Sequence, residues 1–96
     1  MKHTTIKPVD LSEDFIQALQ EKQIETQRAE LRYYDNILYS IEIYVECVGV
    51  GSSDFDTLLQ WGLPSPIICP VGPEMLSIYQ PNLSPNMLKK IVKEGG

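Results

Sequence analysis

Between Pro8 and Gly49 the chain has neither glycine nor proline, whereas residues 64–85 hold six of its seven prolines. This uneven punctuation constrains the fold most, because glycine and proline are the residues that most readily turn or stop a regular element. The first region is free to run on as one element. The second must be extended or turning, and its prolines exclude a central strand.

The uninterrupted region opens with helix signals. Residues 1–10 read as an extended or mobile lead, with Pro8 keeping Lys7 out of helical conformation. Ser12 is a good N-cap, and Glu13 and Asp14 follow in the first turn, where carboxylates favour the helix dipole. Further on, two periods compete. Leu31, Tyr34, Leu38, Ile41, Val45 and Val48 recur by three and four residues, the seam of a helix packed on another helix. Ile41, Ile43, Val45 and Cys47 also alternate with Ser40, Glu42, Tyr44 and Glu46, which is a strand pattern. A helix that stopped before this stretch would usually end on glycine, and only Asp35-Asn36 offers a weak break.

The expected fold is therefore mainly α. A long helix over about 12–48 packs with short helices at 53–61 and 85–94, under a proline-rich extended strap. The alternative is α+β, with residues 37–48 as a strand and the strap as its edge partner. In the second half, Gly49-Val50-Gly51 breaks the chain, and Ser53 caps a helix whose Phe55, Leu58, Leu59 and Trp61 share one broad face. Gly62-Leu63-Pro64 stops it: glycine turns left-handed, the apolar residue packs back and proline forbids continuation. Glu74 to Tyr79 reads as a helical turn after Pro73. Ser84-Pro85 starts the last helix, with Met87, Leu88, Ile91 and Val92 on its apolar side.

At 96 residues, 43% apolar and 22% charged, the chain fits one small globular domain spanning 1–96. Its apolar runs are too short for a membrane span, and MKHTTIKPVD lacks the apolar core of a secretion signal. The expectation is a cytoplasmic protein with no membrane partner. A net charge of −5 opposes nucleic-acid binding, which needs a basic footprint. Residues 35–79 carry six acids and no Lys or Arg, an acidic surface suited to steering a basic partner protein.

Candidate chemistry is sparse. Cys47, Cys69 and the lone His3 are too few for a disulfide framework or a four-ligand zinc site. Asp54, Asp56, Glu42 and Glu46 lack the spacing of a calcium loop, so neither metal nor cofactor is expected. No histidine in the second half can serve Cys47, Cys69, Ser52 or Ser53 as a base, so the chain reads as a non-enzyme. Gly49 to Asp54 before a helix is the arrangement that cradles phosphate, though Asp54 repels it and no cation lies near. Binding of a small ligand or nucleotide by this loop is the alternative function. Gly95-Gly96 resembles the diglycine at which ubiquitin-like and sulfur-carrier proteins are adenylated; the resemblance covers these two residues and implies a carrier role.

Four tyrosines, Tyr33, Tyr34, Tyr39 and Tyr44, fall within twelve residues, and tyrosine is enriched at protein interfaces. The expected partner-binding surface is these four with Glu42, Glu46 and Trp61. The expected oligomer seam is Leu31, Leu38, Ile41 and Val45. The polar middle of the long helix, from Glu21 to Glu30, suggests a two-fold homodimer. The expected function is a small non-catalytic protein–protein interaction module, an adaptor, inhibitor or regulatory subunit that self-associates.

Overall fold

The punctuation-free region does turn, twice, without glycine. A computed structural model describes residues 3–47, 55–64 and 66–93. Its elements are β1 (Thr4–Val9), α1 (Glu13–Gln20), β2 (Ile24–Tyr34), β3 (Ile37–Cys47), α2 (Thr57–Gln60), β4 (Ile67–Gly72), β5 (Met75–Pro81) and α3 (Pro85–Ile91). The mainly α, helical expectation is thus wrong: a two-turn helix and a long hairpin stand where one helix over 12–48 was expected. α1 ends before Gln23, at φ 61°, and the hairpin turns on Asp35 and Asn36, at φ 50° and 68°. Positive φ at both central residues is the turn that matches the twist of paired strands, and Asp and Asn tolerate it better than other side chains. The same turn anchors the first strand, since the Asp35 Oδ1 accepts from the His3 backbone N–H and the Asp35 N–H donates to the His3 carbonyl, both at 2.9 Å.

The five strands form one sheet in the order β1-β2-β3-β5-β4 with every neighbour antiparallel. β3 and β4 consequently run parallel with β5 between them, so the connection through α2 is a crossover. Residues 74–79 are not a helical turn. Glu74, at φ 60° behind Pro73, makes the β4–β5 hairpin, and β5 pairs on both sides. The proline-bearing strap runs along the margin as β4, with Pro70 in it; β1, with Pro8 in it, forms the opposite margin.

Strand alternation then sorts the side chains. One cross-strand row, Val9, Ala29, Ile43, Ile78 and Ile68, crosses all five strands on a single face. Phe15 and Leu19 of α1, Leu58 of α2 and Ile91 of α3 close over that face with Leu11, Leu63 and Leu83. Phe15, Leu19, Ile41, Ile43, Val45, Leu58, Ile78 and Ile91 have no exposed surface at all. Each such side chain contributes about 1.5–3 kcal/mol by leaving water. Leu31, Ile41 and Val45 of the expected oligomer seam lie in this core, and Leu38 packs against it. The long exposed helix that suggested a homodimer is absent.

The helix ends follow local chemistry. Ser12 accepts from the Phe15 N–H and Ser84 from the Met87 N–H, each at 3.3 Å, with Pro85 opening α3. α2 is a single turn, shorter than 53–61, and Gly62 at φ 91° ends it; the Leu63 N–H bonds back to the Leu58 carbonyl at 3.1 Å. α3 stops at Ile91, whose carbonyl accepts from the Ser12 N–H at 2.9 Å and so ties the last helix to the start of the first. Among the described residues no helix is long and apolar enough to cross a membrane.

Candidate functional site

The alternation that buries Ile41, Ile43 and Val45 turns Ser40, Glu42, Tyr44 and Glu46 to the other face of the sheet. Among the described residues no helix supplies a core residue to that face. Its cross-strand rows follow from the register. Ile6, Arg32, Ser40 and Pro81 form one row; Pro8, Glu30, Glu42, Tyr79 and Ile67 the next. Arg28, Tyr44, Ser77 and Cys69 follow, and Glu25, Glu46, Met75 and Gly72 lie furthest from the hairpin turn.

At the centre Glu42 gathers donors from the strands on either side of it. The Arg32 guanidinium donates to Oε1 at 3.1 Å and the Ser77 hydroxyl to Oε2 at 2.5 Å. The Glu42 side chain keeps only 14% of its surface exposed although no described helix covers the face. Flat rings and guanidiniums supply the shielding. Arg28 lies 4.5 Å above the Tyr44 ring and Arg32 5.9 Å from that of Tyr79, distances at which a cation is attracted by the ring face. Tyr34 and Tyr39 meet edge to face at 4.8 Å. Burial, then a hydrogen bond to Glu42, holds the Tyr44 phenol above its ordinary pKa, and the neighbouring Tyr79 phenol does the same to Tyr39. Two cross-strand partners, Arg32 at Nε and Ser40 at Oγ, are buried with no hydrogen-bond partner among the described residues.

The exposed apolar surface gathers on the same side. Ile6, Ile37 and Ile67 share the pleat of Arg32, Tyr34 and Tyr79, and Tyr39 stands against Tyr34. Val71 lines a recess of about 370 Å3 with Gln27, Arg28, Tyr44, Glu46 and Met75. Leu59 of α2 is the one large exposed apolar side chain on the helical side among the described residues. A larger recess, about 850 Å3, opens where β1 leaves β2, between Asp10, Glu13, Ile16, Ala29, Val92 and Lys93. Its charges are balanced and it has no aromatic wall, so size alone does not make it the better site. Both recesses share Gln27 and Arg28, at the bulge between Thr26 and Arg28.

The fold brings together Tyr34, Tyr39, Tyr44, Glu42 and Glu46 of the expected partner surface. Tyr33 goes elsewhere: it packs against the core on the helical side, with the Lys7 ammonium 5.4 Å from its ring. Trp61 meets Phe15 edge-on at 5.4 Å at the margin of the core. Sequence reasoning missed Arg28, Arg32, Ser77 and Tyr79. The signal for the first two existed, because Arg28, Glu30, Arg32 and Tyr34 alternate with Ala29, Leu31 and Tyr33.

The nucleophile candidates fall on opposite sides. Cys47 is half-buried with its thiol pushed up by burial, and Cys69 is exposed on the open face across from Ser77. Among the described residues no three His, Cys, Asp or Glu side chains are grouped to hold a metal ion. The Gly49–Asp54 loop and Gly95-Gly96 lie outside the described residues. No family model, curated protein or solved structure matches this chain.

Proposed function

We propose that the chain is a small non-catalytic interaction module that docks a partner protein on the open face of its sheet. The observation that carries this is the segregation of exposed apolar groups: Ile6, Ile37, Tyr39, Ile67 and Val71 sit on or beside the face that no helix covers among the described residues. These groups ring the polar centre from the hairpin end and from both margins of the sheet. Of the large exposed apolar side chains only Leu59 lies elsewhere among the described residues. Such segregation, unlike even scatter, singles out one face. The residue types fit as well, since tyrosine and arginine are enriched among the residues that carry the binding energy of interfaces. A hydrogen-bonded Arg32–Glu42–Ser77 centre keeps the backbone and rings preorganised, which lowers the ordering cost of association.

The test is site-resolved photo-crosslinking of the full chain in lysate of its source cells. A photoreactive aromatic residue replaces Tyr39 on the open face in one protein and Leu59 on the helical side in another. A discrete adduct from position 39, absent from position 59 and removed by Ile67→Ser, supports docking on the open face. An adduct from position 59 alone, or equally from both, overturns it.

A further inference from the structure

The open face carries an electrostatic conflict that packing does not require. Register sets Glu30 directly opposite Glu42, and Glu25 directly opposite Glu46. Like charges facing each other across paired strands are destabilising, so two such pairs on one face work against the fold. The cations present offset only half of this charge. Arg32 is committed to Glu42 and Arg28 lies on the Tyr44 ring. The outward residues of β2 and β3 thus hold four carboxylates against two guanidiniums, a net charge of −2. The only other cation on the strands, Lys7, sits on the opposite face beside Tyr33. Glu46 receives the Gln27 side-chain amide at 3.1 Å, a neutral donor that leaves its charge in place.

Resting on the docking role just proposed, we infer that the partner segment is basic and apolar, with cationic side chains that neutralise these two glutamate pairs. Glu42 and Glu46 are four residues apart on β3, so the pairs lie about 13 Å apart along the strand direction. The segment's two cations match that separation, which is i and i+4 in an extended chain. Between them lies Tyr44, and beside Tyr44 and Glu46 the recess bordered by Val71 and Met75 takes an apolar side chain of the segment. The chain's net charge of −5 disfavours nucleic acid or an anionic membrane as the occupant.

The decisive signature is opposite movement of stability and affinity. In a purely structural role, removing a carboxylate from each pair changes stability alone; in a docking role it raises stability and weakens binding. The probe is a synthetic extended octapeptide with arginines four residues apart around leucine, compared with the same peptide carrying glutamate for arginine. Binding to the full isotope-labelled chain is followed by amide chemical shifts. The arginine peptide is expected to perturb β2, β3 and β5. Its affinity should fall roughly three- to tenfold in the Glu30→Gln/Glu46→Gln double variant, whose melting temperature rises. Equal binding of the glutamate peptide, unchanged affinity in the double variant, or no shifts at millimolar arginine peptide overturns the basic partner. If the crosslinked partner from position 39 binds the double variant undiminished, the open face remains the docking site and only its partner's charge is refuted. Shifts confined to the helices would refute both.

Discussion

The two faces of the sheet are made by the same strands, yet they solve different physical problems. On the helical face every strand contributes to one apolar row, whose middle members Ala29, Ile43 and Ile78 are buried beneath the helices and whose ends, Val9 and Ile68, are partly buried. On the open face the alternate residues of the same strands are arginine, glutamate, tyrosine and serine, held by hydrogen bonds and ring–cation contacts in the presence of solvent. The lesson is that a face with no described helix over it can still be ordered when its central carboxylate is paired and flanked by flat side chains, even with other carboxylates left unbalanced.

Substitutions separate the two strategies by size. Ile41→Asp places an unpaired charge at a position with no exposed surface, and the expected outcome is a chain without a cooperative thermal transition. Ile43→Ala on the same face should fold but lose about 2–5 kcal/mol in urea denaturation, the cost of lost burial plus a cavity. The strongest single effect expected on the open face is smaller. Glu42→Ala strips Arg32 and Ser77 of their shared acceptor and should cost about 1–2 kcal/mol by the same measurement. A loss as large as that of Ile43→Ala would erase the distinction between the faces. Glu30→Gln should move the other way, raising stability by a few tenths of a kcal/mol through relief of the like-charge pair.

The smallest expected effect is at alkaline pH. The Tyr44 phenol is held above its unfolded value of about 10, so the folded chain keeps that proton more tightly than the unfolded one. The associated stability is fully present below that value and is lost as pH rises through the folded one. Thermal melts between neutral and strongly alkaline pH should therefore fall less steeply in Tyr44→Phe than in the parent chain. An identical slope would place the Tyr44 hydroxyl outside the Glu42 network.

Much of the local structure was legible in the residues. Ser12 and Ser84 cap as their types suggest, Gly62 turns left-handed, and the prolines of the strap confine it to a margin. The global error came from equating turns with glycine. Gln23, Asp35, Asn36, Glu74 and Asn82 all adopt positive φ, so tertiary pairing holds non-glycine residues where glycine would be the easier choice. Once Asp35-Asn36 is seen as a hairpin turn, Ile41, Ile43 and Val45 can obey only the two-residue period. The helical seam through Leu31, Leu38 and Ile41 was a coincidence of spacing between two strands. The open face is half-visible for the same reason: its β3 residues read as a tyrosine and acid cluster, while β2's arginines fall inside the expected long helix, Arg28 in its polar middle.

Proline in each outer strand has a consequence for how the molecule behaves in a crowd. A strand margin with unpaired amides invites another chain to zip alongside, and repeated zipping grows ribbons and eventually fibres. Pro8 and Pro70 each remove an amide from the two strands that border the sheet. A further strand added at either border would therefore find one donor missing, at Pro8 on one side and at Pro70 on the other, which works against lateral growth.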